Sequence, residues 1–79
     1  MNNNEKYAKI FMEELGAEMD SLEELKYQDI QAWDSVGHMD LIATLEDEFD
    51  IQMSTEDIID FSSFKKGKEI LSSKYGVEF

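Results

Sequence analysis

The sequence predicts an all-α fold, a four-helix bundle with a short third helix and a long loop between the first and second helices. Three observations predict it. Apolar residues recur at helical spacing in separate windows, and Ser, Thr, Asn or Asp stands where those windows open. Only Ile51-Gln52-Met53 alternates as a strand would, and three residues are too few to make one. The 79 residues form a single domain, 1–79, with no proline and no repeat to divide it.

The first helix opens after the asparagines, with Asn3 or Asn4 as its cap. Its apolar positions Tyr7, Ile10, Phe11 and Leu15 share one face, and Gly16 stops it. Between Ala17 and Trp33 the periodicity fades. Ser21-Leu22-Glu23-Glu24 has the form of a capping box for a short helical turn, and Leu22, Leu25, Ile30 and Trp33 anchor the rest. The second helix runs from about Ser35 to Phe49, capped by Asp34 or Ser35. The third spans Thr55 to Asp60, capped by Ser54 or Thr55. The fourth spans Ser63 to Tyr75, capped by Ser62 or Ser63. Phe64, Leu71 and Tyr75 lie on one face of it and Gly76 beyond its end.

Composition narrows the function. Nineteen acidic residues against seven basic ones leave a formal charge of −12. Phosphate backbones and anionic membranes repel such a surface, so nucleic acid and membranes are not expected partners, while basic proteins are attracted to it. Hydrophobic residues still make up 42% of the chain, and their periodicity argues for a folded core rather than disorder. There is no cysteine, so disulfides, thiolate metal sites and thiol chemistry by the chain itself are excluded. Sulfur chemistry would need a prosthetic group. No basic-apolar leader opens the sequence and no apolar run approaches a membrane span of about 20 residues, so a cytoplasmic monomer is expected.

Placed at 100° per residue, the second helix has two distinct faces. Leu41, Ile42, Leu45 and Phe49 fall within an arc of about 100° and must face the core. Burying each contributes on the order of 1.5–3 kcal/mol. Val36, Met39 and Ala43 point the other way, bordered by Asp40, Glu46 and Asp47. An apolar strip rimmed by carboxylates suits a transient protein-binding surface, where burial gives affinity and charge gives orientation. Read bare, the same residues could be a half-buried flank beside a solvated acidic face.

Asp34-Ser35 ahead of an amphipathic helix is, by itself, an N-cap. The run that follows, Asp34-Ser35-Val36-Gly37-His38-Met39-Asp40-Leu41 through Leu45-Glu46-Asp47-Glu48-Phe49-Asp50, resembles the acyl carrier protein family. That family has Asp-Ser, an apolar residue, three variable positions, an acid, Leu, and an acidic cluster ending in Phe and Asp or Gly. The specific similarity is concentrated in residues 33–53, and helix order resembles the family's over nearly the whole chain. The resemblance implies that Ser35 carries 4′-phosphopantetheine, received from coenzyme A through a phosphopantetheinyl transferase, with Asp34 beside it. It also implies that Val36, Met39, Asp40, Glu46 and Asp47 recognise partner enzymes: an acyl-loading ligase or transferase, and acyl-processing enzymes with basic patches. These are the residues of the outward stripe. Ala32-Trp33-Asp34-Ser35 and Gly37-His38 depart from bulk fatty-acid carriers and look more like stand-alone carriers of specialised pathways.

The resemblance thus implies a non-catalytic carrier, presenting acyl groups as thioesters in fatty-acid, polyketide or related biosynthesis. An aminoacyl or peptidyl carrier with the same arm, and an acidic interaction module with no arm at all, stay open. His38 lies one turn from Ser35, but a hydrolase would need an orienting acid and an oxyanion hole that so short a chain does not offer. A packed imidazole is expected there, and no catalytic residue. The acids at 46–50 lack the alternating ligand spacing and glycine of a calcium loop, so no metal site is expected.

Overall fold

The computed structural model describes residues 2–79; Met1, the first residue of the predicted domain, lies outside the described residues. The described residues form helices and no strands. They are α1 (Asn3–Leu15), a 3-10 helix (Met19–Glu24), α2 (Ser35–Phe49), α3 (Thr55–Asp60) and α4 (Phe64–Lys74). Each α-helix opens on a side-chain cap. Asn2 caps α1 by accepting from the Glu5 N–H, one residue before the predicted Asn3. Asp34 caps α2, Ser54 caps α3 and Ser63 caps α4. Two helices close in the left-handed conformation. Gly16 ends α1 at φ 66°, and Asp50 ends α2 at φ 54°, a conformation glycine takes more readily.

The capping box predicted at Ser21 is not formed. The 3-10 helix begins two residues earlier, and the Ser21 hydroxyl donates to the Glu18 carbonyl at 3.2 Å. A tight turn ahead of Ser21 lets Leu22 reach the core, where it is buried. The rest of the long connection is held by backbone bonds to the α3–α4 junction. Tyr27 N–H donates to the Ser62 carbonyl and Phe64 N–H to the Leu25 carbonyl, each at 2.9 Å, closing an isolated antiparallel bridge between Lys26 and Ser63. Gln28 takes φ 72°, so the chain doubles back and its N–H donates to the Trp33 carbonyl at 3.0 Å.

One core joins all these pieces. Tyr7, Phe11, Trp33, Leu41, Leu45 and Leu71 are fully buried, and Phe11 meets Trp33, Phe61 and Phe64. The pairs with Trp33 and Phe64 are edge-to-face and that with Phe61 is stacked; edge-to-face pairs add to area burial because ring edges and faces carry opposite partial charge. Phe49, predicted for the core, packs against it but is only half-buried, beneath Lys6 and beside Phe79. The Tyr7 hydroxyl donates to the Phe64 carbonyl at 2.7 Å, and burial pushes its pKa well above that of a free tyrosine, with Glu23 adding to the rise. Among the described residues no helix is long and apolar enough to cross a membrane.

Candidate functional site

Ser35 is the first residue of α2 and is exposed. Asp34 shapes this start. Its side chain accepts from the Gly37 N–H and its carbonyl from the His38 N–H, both at 2.8 Å. The Ser35 and Val36 N–H groups are left without intrahelical partners, as the first donors of any helix are. They give this end a positive dipole that favours an anionic group.

Gly37 and His38 explain themselves once the connection is in place. A Cβ on Gly37 would overlap the Ala32 carbonyl, so only glycine lets the Ala32–Trp33 segment lie against the first turn of α2. His38 takes the next contact. Trp33 Nε1 lies 2.9 Å from His38 Nδ1, and His38 Nε2 lies 2.8 Å from the Ile58 carbonyl oxygen. An indole N–H can only donate, so Nδ1 accepts and the ring proton resides on Nε2, which donates to Ile58. The imidazole thus links the connection, α2 and α3. It is half-buried, as expected, but its neighbours are Tyr27, Trp33 and Phe61 from other segments rather than residues of its own helix. Both ring nitrogens are engaged, so His38 has none free to act as a base on Ser35. Removing the ring would leave the indole donor of fully buried Trp33 unpaired, a penalty of about 1–3 kcal/mol.

Beside Ser35 a cleft of about 350 Å³ opens between α2 and α3, lined by Tyr27, Ser35, His38, Met39, Ile58, Ile59, Phe61 and Ser62. Its inner wall is aromatic, from Tyr27, His38 and Phe61. Its lips are Met39 and Ile59, 53% and 73% exposed. Helix α3 forms one side of the cleft although its buried residue is Asp57, not an apolar one. Polar links hold it instead. Asp57 accepts from Lys74 Nζ at 2.7 Å and from the Tyr75 hydroxyl at 2.6 Å, and the Ser54 N–H donates to that same hydroxyl at 2.9 Å. The hydrogen bonds from Lys74 and then Tyr75 hold the Asp57 carboxyl below its ordinary pKa, and Asp57 in turn raises that of Lys74.

The predicted recognition residues divide. Val36, Met39, Asp40, Ala43 and Asp47 are exposed on α2, with Val36 at 68%. Glu46 is half-buried, and its carboxylate accepts from the Met53 N–H at 2.8 Å, so it anchors the α2–α3 turn as well as bordering the strip. Ile59 joins the exposed apolar residues from across the cleft. Sequence reasoning missed it because α3 is too short to show a periodic face, though the Ile58-Ile59 pair between acids was a visible signal. Among the described residues no group of three or more His, Asp and Glu is placed to hold a metal ion. Charge is uneven along the chain: residues 27–64 contain ten carboxylates and no lysine or arginine, while the remaining residues hold nine carboxylates and all seven lysines, of which Lys6 reaches Glu48 and Lys74 reaches Asp57.

Comparison with protein-family models, with curated proteins and with solved structures gives no match.

Proposed function

We propose that this chain is a carrier protein of the acyl carrier type, non-catalytic in itself, bearing 4′-phosphopantetheine on Ser35. The observation that carries the reading is the Ser35 hydroxyl. It is exposed at the first turn of α2, free of protein hydrogen bonds among the described residues, and at the edge of an apolar cleft. The residues present fit the group. A phosphodiester on Ser35 would lie by the unpaired N–H groups of the first turn, which stabilise an anion there. The arm supplies the thiol that the chain lacks, on which acyl groups ride as thioesters. The order of helices, with a long first connection and a short third helix, supports the same reading.

Attachment forms a bond from Ser35 Oγ to the β-phosphorus of coenzyme A and breaks its pyrophosphate link. Adenosine 3′,5′-bisphosphate leaves, and the hydroxyl proton passes to a base of the transferase. The chain's part is to present the hydroxyl. Val36, Met39 and Ile59 offer burial to a docking enzyme, and Asp40 and Asp47 orient basic patches on the transferase, the acyl-loading ligase or transferase, and the acyl-processing enzymes.

Intact mass tests the reading. Incubation with coenzyme A and a promiscuous phosphopantetheinyl transferase raises the mass by one phosphopantetheine, and Ser35→Ala abolishes the rise. An unchanged mass of the native chain would leave Ser35 as a helix-start residue in an acidic interaction module. Loading assays with acyl and aminoacyl ligases then separate an acyl carrier from an aminoacyl or peptidyl one.

A further inference from the structure

The cleft beside Ser35 ends on side chains that do not yield easily. Its inner wall is Tyr27, His38 and Phe61, and directly behind stand Trp33 and Phe11, both fully buried. Admitting a chain beyond this wall means displacing the His38 ring. That movement would break two hydrogen bonds at once, leaving the Trp33 indole without its acceptor and the Ile58 carbonyl without its donor. Nor can α3 swing aside freely, since Asp57, Lys74 and Tyr75 pin its other end. The Met39 and Ile59 lips, by contrast, are exposed side chains that can close over a group lying in the trough.

From this geometry we infer that His38 is a specificity-determining residue, which limits the cargo sheltered by this protein to short acyl groups. The inference rests on the proposed carriage of acyl groups at Ser35. The cleft's volume corresponds to the liquid share of roughly a dozen waters, and so to about a dozen methylene-sized groups in all; the arm rising from Ser35 takes part of that room, a short acyl group fills the rest, and the methylenes of a longer one emerge between Met39 and Ile59 into solvent. Each methylene taken into the trough stabilises the folded state, and each one beyond it does not.

The test avoids the transferase, so that it stands even if Ser35 takes no arm. The chain has no cysteine, and Ser35→Cys therefore offers a single thiol for alkylation. Haloacetamide tethers ending in acetyl, butyryl, hexanoyl, octanoyl and dodecanoyl amides are attached in turn, and the melting temperature of each adduct is measured. The expected series rises over the short members and is flat from octanoyl onward. His38→Ala in the same background lowers every melting temperature and moves the plateau to longer chains. A purely structural role for His38 would lower the whole series without moving the plateau. A rise continuing through dodecanoyl in the His38 protein overturns the inference, as does a plateau unmoved in a folded His38→Ala protein. Should His38→Ala not fold, His38→Asn, a smaller side chain that keeps an acceptor for the Trp33 indole and a donor for the Ile58 carbonyl, takes its place in the same series and must move the plateau. Failure of transferase loading with this plateau intact counts against the arm at Ser35 and not against the limit set by His38.

Discussion

Asp57 shows how one residue's surroundings reverse the usual expectation for its type. An aspartate in the middle of a six-residue helix normally faces water, yet this one is 5% exposed and holds α3 to the end of α4. Its folded pKa lies below the ordinary aspartate value of about 3.9. The stability it contributes is therefore complete above that ordinary value and is lost as pH falls through the folded pKa. Lys74 has the opposite sign: its raised pKa contributes stability that is complete below the ordinary lysine value of about 10.4 and fades above it. Asp57→Asn is expected to lower the melting temperature at neutral pH. The difference from the native chain should shrink as pH drops below about 4, where the unfolded chain's carboxylate takes up a proton, and vanish once pH has passed the lower pKa of the folded one. Thermal melts of both proteins from neutral to acidic pH measure this, and a gap that stays constant would show that the carboxylate's charge contributes nothing.

Helix α4 is the element where local preference and packing conflict. Gly67 sits in its interior, where glycine costs about 1 kcal/mol relative to alanine. Packing requires it, because a Cβ at Gly67 would overlap the Phe61 ring and the Tyr7 hydroxyl. Gly67→Ala is thus expected to destabilise the protein. Overpacking costs typically 1–3 kcal/mol and outweighs the gain in propensity, and displacing Tyr7 also strains its bond to the Phe64 carbonyl. A net loss of about 1 kcal/mol corresponds to a fall of about 4–8 °C in a domain of this size. An alanine variant that melts higher would mean that Phe61 and Tyr7 shift without penalty. The same reasoning explains why the pair Gly37-His38 accompanies Ala32-Trp33. The glycine admits the backbone and the histidine binds the indole, so the connection and α2 are one unit.

At the scale of the whole molecule, charge is distributed unevenly over a compact body. The radius of gyration is 11.2 Å, close to the roughly 12 Å of a compact chain of this length. The ten carboxylates of residues 27–64 repel one another across it with no cation of their own segment to offset them. Ion pairs among the described residues are few and mostly loose, at 3.9–4.0 Å for Lys6 with Glu48, Lys9 with Glu13 and Lys66 with Glu69, and such pairs contribute little. Lys74 with Asp57 is the exception. Raising ionic strength from about 0.01 M to 0.15 M shortens the Debye length from about 30 Å to 8 Å and should raise the melting temperature by several degrees. Melting curves across a salt series test this, and a temperature that holds steady or falls would mean that repulsion is not what limits stability.

The sequence by itself determined what depends on near neighbours along the chain. Helical spacing placed α1, α2, α3 and α4 to within a residue or two, short polar side chains marked their starts, and the wheel of α2 separated Leu41, Ile42 and Leu45 from Val36 and Met39. Ser35 was legible as an exposed first-turn hydroxyl for the same reason, since a cap and the turn after it are local structure. What only the tertiary structure decided are the meetings of segments distant in sequence. His38 meets Tyr27, eleven residues before it, and Ile58, twenty residues after it, because the connection and α3 both come to lie against α2. Ile58 and Asp57 find partners because α3 lies between α2 and the end of α4, and Gly67 is required because two rings arrive there from elsewhere. Spacing along a chain encodes which face a residue occupies, but not what will come to lie against it. The cleft beside Ser35 is made from such meetings, and so its depth could be read only from the folded chain.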